Sequence, residues 1–358
     1  MKKNKSKYLS IYERVRDDIV SGVFPKNSKL PSKRTMADEY GVSVITIEHA
    51  YELLMEEGYI VAKEKSGYYI IYSTDNFFEV ASERTGTEEP DPVSKRSERF
   101  ENNEISFLQY ARMTRRVLST YGEKLTERSP WYGTEHFRKV IAAYLHRSRR
   151  IDIDPKRVII GSGAENLYRM IVNVLGRDII YGIENPSYEK IAYVYKSEGV
   201  RCRQLKLGND GIDSAALWKA EVGALHITPY RSYPSGVTAS ASKKHEYLKW
   251  CNEKHAIIIE DDFESEFSPS RRPEETVFYL NHGKNVIYVN TFTKTIGSFI
   301  RVAYMVIPEN LIELFNEKLN FCSCSVPTPE QYIISELIES GEFERHINRV
   351  RRRKRERI

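Results

Sequence analysis

The chain has 358 residues, 41% of them hydrophobic, and a formal net charge of +5. That is room for one large and one small domain, and the charge excess permits nucleic acid as a partner without requiring it. No apolar run approaches the ~20 residues needed to cross a bilayer, and no apolar signal core follows the basic start MKKNKSKYLS, so a cytoplasmic protein without membrane contact is expected. The four cysteines, Cys202, Cys251, Cys322 and Cys324, fit neither a disulfide framework nor a zinc pattern. Free thiols in a reducing compartment and no metal are expected.

In chain order, KYLSIYERVRDDIVSG sets Ile11, Val15 and Ile19 at helical spacing and stops at Gly22, which predicts a first helix. In LPSKRTMADEYG, Ser32 reads as an N-cap and Gly41 as the stop of a second helix. Ser43 caps a third helix almost at once, with Ile47, Tyr51 and Leu54 as its inward stripe. Two short helices across a tight glycine turn make a helix-turn-helix. YIVAKEKSGYYIIY then reads as a hairpin, so residues 1–72 are expected to form a small α/β winged helix-turn-helix domain.

Residues 73–103 are polar and charged, with few aliphatics, and read as a linker. From 104 to 358 apolar strands such as RVIIG, DIIYGIEN, AIIIEDD and NVIYVNT alternate with helical segments. That alternation predicts a large α/β domain, with a mostly parallel central sheet and helices on both faces.

For the first region, the functional reading puts the third helix in a DNA major groove, with Ser43, Thr46 and His49 outward. Lys33, Arg34 and Lys65 are then placed for phosphates. The plainer reading is a small three-helix protein-interaction module, and charge does not choose, because residues 43–57 contain no Lys or Arg. The order and spacing of LPSKRTMADEYGVSVITIEHAYELLMEEGYI…SGYYI resemble the GntR family of bacterial regulators over residues 8–70. The resemblance implies a double-stranded DNA operator as partner. That family usually carries an arginine after the capping serine, where this chain has Val44.

The second region offers what pyridoxal phosphate (PLP) requires. The cofactor needs a lysine for its Schiff base, a carboxylate for its ring nitrogen, a helix start and a cation for its phosphate, and an aromatic plate for its face. Lys294 follows an apolar strand, and a lysine buried there is costly unless it has chemical work. Asp261 ends another strand, and GSGAEN opens a helix whose Gly163, Ala164 and Glu165 N–H groups face a phosphate in this reading. Arg301 is the candidate cation and Tyr188 the candidate plate. Each feature alone has a plainer reading: a tight turn, a solvated strand edge, a packed tyrosine, a surface lysine.

Together, WYGTEHFRKVIAAYL, GSGAEN, IENPSYEKIAYVY, TPYRSYPSGV, IIIEDDFESEF and TFTKTIGSFIRVAY resemble the fold-type I aminotransferases. With the N-terminal region, the chain resembles the MocR subfamily of GntR regulators, in which a winged helix is fused to an aminotransferase-like domain that binds PLP. The resemblance implies Lys294 as the catalytic, aldimine-forming lysine and Asp261 as the pyridinium partner. It also implies Arg301 at the phosphate and Tyr188 on the ring. Departures are Phe263, where the family has a tyrosine for the cofactor's phenolic oxygen, Thr293 for a serine, and Arg231–Ser232 for His–Gln. Lys190 stands where some relatives place an arginine for the effector's acid group.

The function implied is a regulator, forming a homodimer, that senses PLP or an amine or amino acid condensing with it. The alternative is an active aminotransferase with an appended DNA-binding domain. The chain is expected to lack a C-terminal subdomain that carries the family's substrate-carboxylate arginine, which, with Phe263, argues against turnover.

Overall fold

The computed structural model describes residues 7–20, 23–25, 27–63, 66–72, 104–270 and 274–356. Gly22, Lys65, the expected linker 73–103 and residues 357–358 lie outside them. The chain divides into two units, Met1–Glu98 and Arg99–Ile358.

In the first unit, α1 (Lys7–Val20), α2 (Lys33–Tyr40) and α3 (Val44–Glu56) precede a hairpin of β1 (Ile60–Lys63) and β2 (Gly67–Ile70). The short helices start where a hydroxyl satisfies a free N–H group. Ser32 accepts from the Thr35 amide, and Ser43 accepts from the Thr46 amide. Gly41 ends α2 in the left-handed region, at φ 61°, where a side chain is disfavoured. The helical stripes meet as one core, with Val15, Ile47, Tyr51 and Leu54 fully buried.

The second unit opens with α4 (Phe107–Tyr121) and α5 (Glu135–Arg149). Then come β3 (Val158–Gly161), α6 (Ala164–Leu175), β4 (Ile180–Asn185), α7 (Glu189–Ser197), β5 (Arg201–Gly208) and β6 (Gly211–Ile212). Next are α8 (Ser214–Trp218), β7 (Ala224–Ile227), α9 (Ala241–Lys254), β8 (Ile257–Asp261), α10 (Val277–Leu280) and β9 (Val286–Thr291). β10 (Ala303–Val306), α11 (Ile312–Leu319), α12 (Thr328–Glu339) and α13 (Glu342–Glu356) complete it. The strands form an eight-stranded sheet in the order β3-β10-β9-β8-β7-β4-β5-β6. Pairings from β9 through β5 are parallel, and β10 runs antiparallel to both its neighbours.

Because side chains alternate along a strand, each parallel strand feeds both faces. Ile258, Val286 and Tyr288 join one apolar layer with α5, α9, α12 and α13. Ile259, Ile287 and Val289 join another with α6, α7 and α11. The same alternation sends the adjacent Asp261 and Asp262 to opposite faces. Among the described residues, no helix is long and apolar enough to cross a membrane.

Candidate functional site

The carboxyl ends of β3, β4, β7, β8 and β9 lie along one edge of the sheet, where open α/β folds bind ligands. Asp261 is the last residue of β8 and is buried, facing α6. Tyr168 on α6 donates its hydroxyl to Asp261 Oδ2, and burial raises the Tyr168 phenol well above its ordinary pKa. His226 on β7 points Nε2 at the same oxygen from 3.7 Å. Its Nδ1 shares a 2.8 Å hydrogen bond with the Tyr195 hydroxyl. The second oxygen, Asp261 Oδ1, is buried with no hydrogen-bond partner among the described residues. A buried, unpaired carboxylate oxygen is costly unless a donor meets it.

The phosphate candidates come together at the start of α6. Gly163 precedes the helix at φ +85°, and a Cβ there would lie 2.7 Å from Arg301 Nη2. Glycine therefore admits the guanidinium to the helix start. Arg301 is half exposed and pairs with Glu165 Oε2 at 2.8 Å. The Gly163 amide donates to the Gly161 carbonyl at 3.0 Å, while Ala164 begins the helix with no side-chain cap before it.

Lys294 sits in the turn after β9 and is exposed, not buried. Its Nζ lies 5.8 Å from the centre of the Phe263 ring. Phe263 offers an apolar face and no hydroxyl. Thr293 donates its hydroxyl to the Ile300 carbonyl at 2.8 Å, which ties the lysine turn to the segment that carries Arg301.

Tyr188 opens α7 and is 42% exposed. Its ring meets Tyr233 edge-on at 5.9 Å, and Lys190 Nζ lies 5.7 Å from its centre. Beneath this pair, the buried Glu184 accepts the Ser232 hydroxyl at 2.5 Å and the Thr228 amide at 3.2 Å. Glu184 thus ties the Asn185–Pro186 segment to the Tyr233–Pro234 segment. Burial pushes its carboxyl up to about 7.

The residues present fit PLP. Asp261 Oδ1 is a buried acceptor, and Gly163 and Arg301 lie together at a helix start, the chemistry that a pyridinium N–H and a phosphate call for. Sequence reading passed over Tyr168, His226, Tyr195, Glu165 as an ion-pair partner, and Glu184. A signal existed for His226, a lone polar residue inside the apolar run ALHI.

In the first unit, Ser43 is exposed and Thr46 half-buried, and their hydroxyls bond each other at 2.8 Å. His49 is exposed and lies edge-on to Tyr8 at 5.9 Å. Lys33 pairs with Glu48 at 2.5 Å, and Arg34 is exposed.

Residues 7–70 match the gntR family of bacterial regulatory proteins, and residues 99–358 match aminotransferase class I and II. The uncharacterized HTH-type transcriptional regulator YdeL of Bacillus subtilis is 28% identical over 96% of this chain and 76% of its own length. The HTH-type pyridoxine biosynthesis transcriptional regulator PdxR of Corynebacterium glutamicum is 23% identical over 95% of this chain and 74% of its own length. Among solved structures, the α-aminoadipate aminotransferase LysN of Thermus thermophilus superposes with a TM-score of 0.61 at 24% identity. That match covers 68% of this chain and 63% of LysN, and it speaks to the fold alone. The chain belongs to the aminotransferase class I and II family and joins to it a gntR-family helix-turn-helix domain, the architecture of transcriptional regulators of the MocR and PdxR type.

Proposed function

We propose that this chain is a cytoplasmic, homodimeric transcription regulator that binds an operator through residues 1–72 and captures PLP in residues 104–358, across a linker at 73–103. In this reading PLP, or an amine or amino acid that condenses with it, is the signal. The observation that carries the reading is Asp261 Oδ1, a buried acceptor without a partner among the described residues. The bound cofactor supplies an electrophilic aldehyde and an electron-withdrawing ring. Lys294 supplies the amine, Asp261 accepts the ring N–H, and Tyr168, whose hydroxyl bonds Oδ2, fixes the carboxylate. Arg301 and the start of α6 take the phosphate, while Tyr188, Tyr233 and Lys190 form the entrance an acidic effector meets.

Phe263 favours sensing over turnover, since a phenyl ring donates no hydrogen bond to the cofactor's phenolic oxygen. The regulator names of YdeL and PdxR support the same choice.

The test is an absorbance titration of the purified chain with PLP. A new band in the visible or near-ultraviolet that Lys294→Ala abolishes is expected. No band in the unsubstituted chain contradicts the proposal.

The Arg301–Glu165 pair makes a second prediction. Glu165 neutralises the cation that the phosphate needs, so Glu165→Gln is expected to tighten PLP binding. A half-exposed pair is worth under ~1 kcal/mol, so the gain is about two- to fivefold. Pyridoxal without the phosphate is expected to bind both forms alike. Equal tightening of both ligands, or none, contradicts a phosphate site at Arg301.

A further inference from the structure

The first turn of α3 presents an unusual chemistry for a recognition helix. Its N-terminal residues are the ones that meet base edges when a helix-turn-helix docks in the major groove. Here those residues include Val44, 40% exposed, and Ile45, 63% exposed. The polar side chains around them are already engaged. Ser43 and Thr46 bond each other, Glu48 holds Lys33, and His49 packs edge-on against Tyr8. The helix carries no Lys or Arg, so guanine's paired acceptors find no bidentate cation there.

Two large β-branched side chains standing in water on a helix tip cost little in the free protein, and they bury well against an apolar partner. The apolar group that B-form DNA displays in its major groove is the C5-methyl of thymine. We propose that Val44 and Ile45 read thymine methyl groups, so that each operator half-site carries thymine at two positions facing the tip of α3. A phosphate contact from Arg34, exposed at the start of α2, then positions the domain without specifying sequence. The inference rests on the DNA-binding reading and adds the chemistry of its readout.

The experiment has two steps. The full chain first selects duplexes from a randomised pool. Thymines enriched in the selected site are then replaced one at a time by deoxyuridine, which removes only the methyl. Burying one methyl is worth about fourfold in affinity, so about a fourfold loss is expected at two positions per half-site. Val44→Ala and Ile45→Ala keep the helix, since alanine is its best former, and each is expected to abolish the deoxyuridine effect at one position. The proposal is overturned if enriched sites carry guanine or cytosine at the positions nearest α3. It is also overturned if deoxyuridine changes affinity less than about 1.5-fold at every thymine. If no duplex is enriched at all, the DNA-binding reading falls, and this inference with it.

Discussion

Replacing Arg149 with methionine is expected to destabilise the 99–358 unit by about 3–5 kcal/mol, the cost of removing one partner from a buried ionic cluster. Arg149 ends α5 with its side chain 1% exposed. Its Nη2 lies 3.3 Å from Asp262 and 3.3 Å from Glu266, and it also donates to the Ser265 hydroxyl. Burial opposes the charge on Arg149, but the two carboxylates hold its pKa well above the ordinary value. Burial raises the Glu266 carboxyl, and Arg149 counters that rise. Tyr288 donates to Asp262 at 2.8 Å, Asn290 donates to Glu266 at 2.7 Å, and Arg351 of α13 donates to the Glu266 carbonyl at 2.5 Å. Methionine removes the guanidinium that lies 3.3 Å from each carboxylate, and Arg351 bonds the Glu266 backbone carbonyl, not its carboxylate. The chain's tryptophans, Trp131, Trp218 and Trp250, all lie in this unit, so their fluorescence during urea unfolding reads its stability. A loss below about 1 kcal/mol contradicts the account.

Asp261→Asn is expected to weaken PLP binding by roughly tenfold to a hundredfold. Asparagine keeps the shape and can still accept from Tyr168, but it brings no charge to a protonated ring nitrogen. A hydrogen bond to a charged group is worth about 1.5–3 kcal/mol, which sets that range. Equilibrium dialysis checks it. Affinity within about twofold of the unsubstituted chain means that Asp261 does not meet the ring nitrogen. Removing His226 as His226→Phe is expected to have a smaller effect, since its Nε2 stands 3.7 Å from the carboxylate.

The sequence made some of this legible and hid the rest for identifiable reasons. Local signals carried well. Ser32, Ser43 and Gly41 act within three or four residues of themselves, and the caps and stop stand where hydroxyl and glycine chemistry placed them. The strand, turn and helix pattern also carried, because alternation and helical spacing report burial directly. Contacts between distant elements were out of reach. Tyr168 and Asp261 are 93 positions apart, and Glu165 and Arg301 are 136 apart. Nothing local marks either pair. The expected burial of Lys294 failed for a related reason. A strand before a lysine says that the backbone is covered, not that the turn beyond it is.

The central claim is that cofactor capture at Lys294 changes DNA affinity. Binding that favours one arrangement of a protein shifts its population, and coupling between two ligands is reciprocal. The most direct measurement is the dissociation constant for a selected operator duplex, with and without saturating PLP, for the unsubstituted chain and for Lys294→Ala. A coupling of about 1–3 kcal/mol, roughly five- to 150-fold in affinity, is predicted for the unsubstituted chain and none for Lys294→Ala. Identical operator affinity with and without PLP, in a chain whose absorbance confirms capture, would contradict it.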